Sequence, residues 1–278
     1  MRFGFVLPSG DARTAAELAE VAERHGWDGF FVWEPVWGVD AWVMLTAAAM
    51  RTSTIRLGTL LTPLPRRRPW DLAGQVAALD NLSDGRVTLS VGLGAVHEGW
   101  LAFEQDPGRR VRAELLDEGL AVLRGLLTGQ PFHFEGTHFR VTPTDFMIPP
   151  PPVQRPHVPI WVVGGWPAAV SMRRAARADG WLPNLVSKDG PAGSPGPDTI
   201  REGIAFIREV RAAEGLPMES YDVITEGVTP VGDPAAARAA VEPWEAAGAT
   251  WWIEGDWSVE REHVREYALR RLAAGPPR

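Results

Sequence analysis

A chain of 278 residues that is 45% hydrophobic, with 29 glycines and 25 prolines, can bury a full core and falls within the usual range of one large α/β domain, residues 1–278. With 28 basic against 35 acidic residues the net charge is -7, and no basic strip interleaves with aromatics, which argues against a nucleic-acid or anionic-membrane partner. Cysteine is absent, which removes disulfides, thiol nucleophiles and thiolate metal sites, and no apolar run approaches the roughly 20 residues of a membrane span, so a soluble cytoplasmic protein is expected.

Short runs rich in Val, Ile, Phe, Leu and Trp alternate with longer segments of helical period. Strands are expected at 2–7, 29–33, 55–62 and 86–92, each followed by a helix, the third of these opening on Pro69. The alternation then breaks. Residues 132–157 contain a hairpin-like FHFEGTHFRV with Glu135-Gly136 at its turn, and a proline-rich return that suits neither a helix nor a central strand. This reads as an insertion, at about 131–158, between the fourth helix and the fifth strand. Strand–helix pairs resume with 159–163 and a helix from Pro167, and continue with strands near 180–186, 222–228 and 250–254. Eight such pairs suit a closed (β/α)8 TIM barrel better than an open doubly wound sheet.

In a barrel of this kind chemistry collects on the loops that follow the strands. Those positions hold Pro8 and Ser9, Glu34, Thr62, then Gly94, His97 and Glu98, the pair Gly164-Gly165, Asn184 and Lys188, Glu226 on the seventh strand, and Glu254 with Asp256. The run IWVVGGWPAAV (160–170) reads as a buried strand ending on two glycines, with Pro167 opening the next helix. The glycines would let backbone approach a ligand closely. The free N–H groups of Ala168 and Ala169 would then form an anion seat at the positive end of the helix dipole, most simply for a phosphate. A tight strand-to-helix turn without a ligand explains the same dipeptide equally well, and barrel phosphate sites more often follow the seventh and eighth strands.

Other chemistries fit less well. The six histidines are scattered, so no metal site is expected, and His97-Glu98 alone cannot hold an ion. A Schiff-base mechanism needs a buried lysine, whereas the one lysine is Lys188 in a Gly/Pro-rich loop. A two-carboxylate glycoside hydrolase could draw on Glu34, Glu226, Glu254 and Asp256, but Trp27, Trp161, Trp181 and Trp251 stand at core-like spacing rather than as sugar platforms. Glu226 and Glu254 are equally explained as ion-pair partners on the rim.

The run IRLGTLLTPLPRRRPWDLAGQVAALDNLSDGRVTLSVGLG (55–94), the opening FGFVLP with ELAEVAERHGWDGFFVWE, and PIWVVGGWPAAVSMRRAARADGWLPN (159–184) resemble the bacterial-luciferase-like monooxygenases and their deazaflavin-dependent relatives. The resemblance spans nearly the whole chain. It implies a barrel that binds FMN or the deazaflavin coenzyme F-420 at its C-terminal mouth, the cofactor phosphate resting on Gly164, Gly165, Trp166, Pro167 and Ala168. It also implies a non-prolyl cis peptide at the end of the third strand, which by spacing falls at Leu60-Leu61, with Thr62 beside it. Arg66, Arg67 and Arg68 would either reach an acidic cofactor tail or form a solvated loop.

The chain departs from the family pattern in two places. Many deazaflavin-dependent members carry an acid–histidine pair after the second strand, where this chain reads Trp33-Glu34-Pro35. The reactive cysteine of luciferase after the fourth strand is replaced by Gly92. Glu34 is therefore left as a polar anchor near the ring and His97 as an acid/base, each equally able to line the mouth without chemistry. The expectation is a flavin- or deazaflavin-dependent oxidoreductase for a small hydrophobic organic substrate, with loop 187–198 as a mobile lid, a separate flavin reductase in the FMN case, and a homodimer as in its relatives. The alternatives are a flavin-binding barrel that has lost catalysis and, further off, the glycoside hydrolase.

Overall fold

The computed structural model describes residues 1–96, 99–187 and 193–278. Eight parallel strands, β1 (Arg2–Leu7), β2 (Gly29–Val32), β3 (Arg56–Thr59), β4 (Val87–Gly92), β5 (Ile160–Trp166), β6 (Gly180–Leu185), β7 (Asp222–Gly227) and β8 (Trp251–Glu254), pair in sequence order. β8 pairs with β1, so the sheet closes into a (β/α)8 barrel. Helices α1 (Ala12–Arg24), α2 (Ala41–Ala49), α3 (Pro69–Leu82), α4 (Arg109–Thr128), α5 (Ala169–Ala176), α6 (Pro197–Ala213), α7 (Pro234–Ala247) and α8 (Val264–Ala273) follow the strands in turn. Their starts are chemically marked: Asp11, Asp40 and Asp233 each accept backbone N–H groups of the first turn of α1, α2 and α7. Between α4 and β5 lies the expected hairpin, reduced to Phe134–Glu135 against Arg140–Val141.

Three boundaries differ from the sequence reading. The third strand stops at Thr59 and ladder pairing resumes at Thr62–Pro63, which lie beside Val91 and Gly92 of β4. The fifth strand does not end on its glycines but runs through them to Trp166, because Gly164, Gly165 and Trp166 stay in register with Pro183, Asn184 and Leu185 of β6. Pro167 follows a cis peptide bond and lies outside α5, which starts at Ala169.

Strand alternation divides the core in two. Outward side chains such as Phe5, Phe30, Leu57, Leu89, Val162 and Trp252 pack against the helices. Inward ones, Val6, Phe31, Leu60, Trp161, Ile224, Trp251 and Ile253, fill the barrel. Trp161, Trp251 and Phe31 meet with ring centroids 5.4–5.9 Å apart and plug it. They fit because the inward positions around them are glycines. A Cβ on Gly29 would lie 2.6 Å from Phe31 and one on Gly180 2.4 Å from Trp161, while one on Gly58 would lie 2.1 Å from the carbonyl oxygen of Thr88. Gly180→Ala is accordingly expected to destabilise the fold by about 1–3 kcal/mol through overpacking, read as a lowered Tm; an unchanged Tm would refute this account of the plug.

The N-terminal face of the barrel is closed by polar clamps. Arg86 donates to the carbonyl oxygens of Ala49, Thr52, Ile55 and Ser83, joining the loop after α2 to the start of β4. Glu23 accepts the backbone N–H groups of Ser53, Thr54 and Ile55 at 2.7–3.0 Å. Burial opposes its charge, but these donors win and lower its carboxyl from 4.5 to about 2. A carboxyl depressed in the folded state contributes stability above its unfolded value and loses it as the pH falls. Acid unfolding between pH 4.5 and 2 should therefore be less steep in Glu23→Ala than in the wild-type chain.

Candidate functional site

At the C-terminal ends of the strands opens a cavity of about 640 Å³. Its wall is drawn from the segments after β2, β3, β4, β5, β6 and β8, the distribution expected of a barrel mouth. Leu60 and Leu61, joined by a cis peptide bond as the family resemblance implied, form part of the apolar wall together with Val163. The backbone places this bend firmly: the Leu60 N–H donates to the Val32 carbonyl at 2.7 Å and the Glu34 N–H to that of Leu61 at 3.3 Å. Gly92 does not line the cavity; a side chain there would lie 3.0 Å from Val163 and 3.1 Å from Leu61, so its bareness lets those two residues take their positions.

The two glycines of β5 have different reasons to be glycine. Gly164 faces outward, where a Cβ would lie 2.6 Å from the Trp181 indole, and its carbonyl accepts the Trp181 Nε1–H at 2.9 Å. Gly165 faces inward and lines the cavity, its N–H donating to Ser171 Oγ at 2.9 Å. Trp166 turns outward against α6, donating to Glu202 and packing on Phe206. The Ala168 N–H donates to the Gly165 carbonyl at 2.9 Å and is not available to a ligand. Of the expected anion seat, Gly165 alone lines the cavity, joined there by Ser171, which the sequence had not singled out; Gly164, Trp166, Pro167 and Ala168 do not line it.

Glu34 touches the cavity wall but is fully engaged. Arg67 donates to its Oε1 at 2.8 Å, while Thr62 Oγ1 and the Trp42 indole donate to Oε2 at 2.8 and 3.3 Å. Arg67 also bonds Gln75, and Thr62 is wholly buried against Thr59. Glu34 is thus the centre of a polar knot beneath the Leu60–Leu61 bend. Arg68 caps α3 outside the cavity. Arg66, by contrast, lines the mouth together with Arg109 and Arg112. Arg66 and Arg112 flank Trp100 at 4.9 and 5.5 Å, and the buried Trp100 indole N–H has no hydrogen-bond partner among the described residues. Arg112 is held by Asp106 at 2.9 Å and Arg66 by Glu104.

The remaining carboxylates separate by strand phase. Glu254 points outward, with no exposed surface, and is paired with Arg271 at 3.2 Å. Glu226 points inward at the end of β7 and accepts the Trp257 indole N–H at 2.7 Å. His97, Glu98 and Lys188 lie outside the described residues, as do 188–192 of the expected lid; Ser187 lines the cavity, and Gly196 stands at the N-terminus of α6. The sequence reading missed Arg109, Arg112 and Trp100: the two arginines stand in the first turn of α4 and Trp100 in the loop before it, and a helical period does not show that the start of this helix faces the mouth.

These features coincide with what similarity assigns. The sequence model of the family described as luciferase-like monooxygenase matches residues 1–275, and the chain belongs to that family, a family of oxidoreductases. An uncharacterised protein of Mycobacterium tuberculosis is 31% identical over 99% of this chain and 98% of its own length. The F420-dependent glucose-6-phosphate dehydrogenase of Nakamurella multipartita is 31% identical over 76% of this chain and 61% of its own. Among solved structures, the monooxygenase RslO1 of Streptomyces bottropensis superposes with a TM-score of 0.77 at 23% identity, covering 99% and 98% of the two chains. The coenzyme F420-dependent tetrahydromethanopterin reductase of Methanopyrus kandleri does so with 0.75 at 19%, covering 97% of each. At these identities the structural likeness speaks for the fold.

Because Glu34 balances Arg67 in a largely enclosed knot, its removal strands a guanidinium and two neutral donors. Glu34→Ala is expected to cost about 2 kcal/mol or more, as loss of hydrogen bonds to a charged group does, seen as a drop in Tm. Glu34→Gln, which retains one acceptor oxygen, should fall between the two. A Glu34→Ala variant as stable as the parent would show that the knot is not structural.

Proposed function

We propose that this chain is an oxidoreductase that holds the deazaflavin coenzyme F-420 in the barrel mouth and acts there on a small, largely apolar organic substrate. The observation that carries the reading is the composition of the cavity wall. An apolar ledge at Leu60, Leu61 and Val163 offers a planar ring a face to rest on, and Gly165 lets it approach the backbone. On the same cavity Arg66, Arg109 and Arg112 provide positive charge for an acidic tail, in a chain whose net charge is -7. The unpartnered Trp100 N–H, between two of these arginines, adds a donor that a ligand oxygen would satisfy. The residues present therefore fit the cofactor.

When bound, the deazaflavin supplies hydride transfer to or from the substrate. The chain's own part is to position and to exclude water. Leu60, Leu61 and Val163 would hold the ring, Arg66, Arg109 and Arg112 would hold the tail, and Trp33 and Trp257 wall the remaining space with aromatic surface. Glu34 acts through structure, holding Thr62 and Arg67 under the ledge, and has no free oxygen for a proton. His97 remains our candidate acid/base on sequence grounds. F-420 is favoured over FMN because relatives 31–34% identical to this chain over 182–225 aligned residues are F420-dependent glucose-6-phosphate dehydrogenases. A separate flavin reductase belongs only to the FMN case, and a homodimer remains part of the proposal.

Titration of the purified protein with F-420 and, in parallel, with FMN, each oxidised and reduced, tests this by fluorescence and heat. The expected result is preferential binding of F-420, weakened about tenfold or more, roughly 1.4 kcal/mol, in Arg66→Ala/Arg109→Ala. Gly165→Asp, which sets a carboxylate into the wall, should weaken it more than Gly165→Ala does. Preference for FMN would move the protein to the oxygen-activating side of the family. Binding of neither would refute the proposal.

A further inference from the structure

The cavity must also receive a substrate, and Glu226, which does not line the wall itself, adjoins it through Trp257. This inference rests on the reading of the cavity as the redox site. Along β7 Ile224 points inward into the cluster with Trp161 and Trp251, and Glu226, two residues on, occupies the same face at the C-terminal end of the strand. The neighbouring Gly227 has the opposite phase, since a Cβ there would lie 2.5 Å from Trp252 on the outer face. The side chain of Glu226 is accessible to solvent yet surrounded by the barrel wall. Loss of bulk hydration raises its carboxyl above the ordinary range, against the lowering effect of the Trp257 hydrogen bond.

Its partners distinguish it from Glu34 and Glu254. The Trp257 indole N–H donates to Oε1 at 2.7 Å; Trp257 lines the cavity and meets Trp33, also on the wall, edge to face at 6.0 Å. Among the described residues no cation pairs with Glu226. Glu34 and Glu254, by contrast, have both oxygens taken by charged and neutral donors. Among the described residues Oε2 of Glu226 accepts no hydrogen bond, while Oε1 of the same group is bound to the Trp257 indole.

We propose that Glu226, bonded to Trp257 at the edge of the cavity, is a substrate-recognition residue, and that it hydrogen-bonds through Oε2 to the hydroxyl or carbonyl oxygen of a neutral molecule with an apolar or aromatic body. With Oε1 accepting from Trp257, Oε2 is the oxygen that carries the proton when the group is neutral, and it then donates to a carbonyl or hydroxyl oxygen. A carboxylate beside an indole also suits an ammonium ion. The neutral ligand is favoured because Arg66, Arg109 and Arg112 make the same cavity positive and repel a cation.

The test uses the cofactor-free protein with 2-phenylethanol, 2-phenylethylamine and phenylacetate, which share a ring and differ in head group. Binding is followed by tryptophan fluorescence and ligand-observed NMR. The alcohol should bind more tightly than the amine or the acid. Glu226→Gln keeps a donor and an acceptor and should stay within about threefold of wild type for the alcohol, whereas Glu226→Ala should lose about tenfold. Tighter binding of the amine, lost equally in both variants, would overturn the proposal in favour of a cation site. Alcohol binding unchanged in Glu226→Ala would overturn it outright. Unaltered F-420 binding by the same variants keeps the two readings apart, because failure of the cofactor to bind wild type is scored in a separate titration.

Discussion

The structure depends on one steric constraint: a parallel barrel must fill its own interior, and here it does so with indoles. Trp161, Trp251 and Phe31 occupy the lower part of the barrel, and the strands around them give up their inward side chains at Gly4, Gly29, Gly58 and Gly180 to make room. Large and small residues alternate around the ring so that each aromatic lies over a bare backbone. The plug also settles where function can be. A filled lower barrel leaves the upper end, where the chain turns into loops, as the place where a cavity of useful size forms.

Strand phase then decides which side chains enter that cavity. One residue of displacement along a strand moves a side chain from the mouth to the helix layer. Gly164 and Gly165, Glu226 and Gly227, and Ile253 and Glu254 each illustrate it: the first member of each pair differs from the second in which medium it faces. Glu254, on the outer face, is neutralised by Arg271 and locked by Thr229. Glu226, on the inner face, meets an indole N–H and no cation among the described residues. Two carboxylates at the ends of adjacent strands thus have opposite surroundings, one holding α8 to the barrel and one beside an indole that lines the cavity.

Much of this was legible in the linear pattern. All eight strands fall within a few residues of their expected positions, because buried parallel strands are apolar runs bounded by Gly, Pro and Asp, and the helices between them are long enough to show their period. The Leu60–Leu61 bend was legible only through family resemblance, since nothing in two leucines signals a cis bond. The sequence marks Glu34 as a polar anchor near the ring but not its partner Arg67, which is 33 residues away, because the ion pair forms only when the β2 and β3 loops meet over the barrel. The seat at Ala168 failed for a local reason: β5 continues in register with β6 past its glycines, so the chain turns later than the dipeptide suggests and spends the Ala168 N–H on the turn itself.

By itself the sequence determined the number and order of strand–helix units, the absence of thiol chemistry and the family, all properties that periodicity, composition and contiguous motifs carry locally. Tertiary structure alone decided which charges reach the cavity. Arg66, Arg109 and Arg112 converge on it from segments up to 46 residues apart, although Glu104 and Asp106 pair with two of them, while Glu254 is turned to the outer face and paired with Arg271. A charge contributes to the site only when its side chain reaches the cavity. That depends on the three-dimensional closure of the barrel, which brings distant residues within hydrogen-bonding distance and leaves others, Glu226 among them, facing open space.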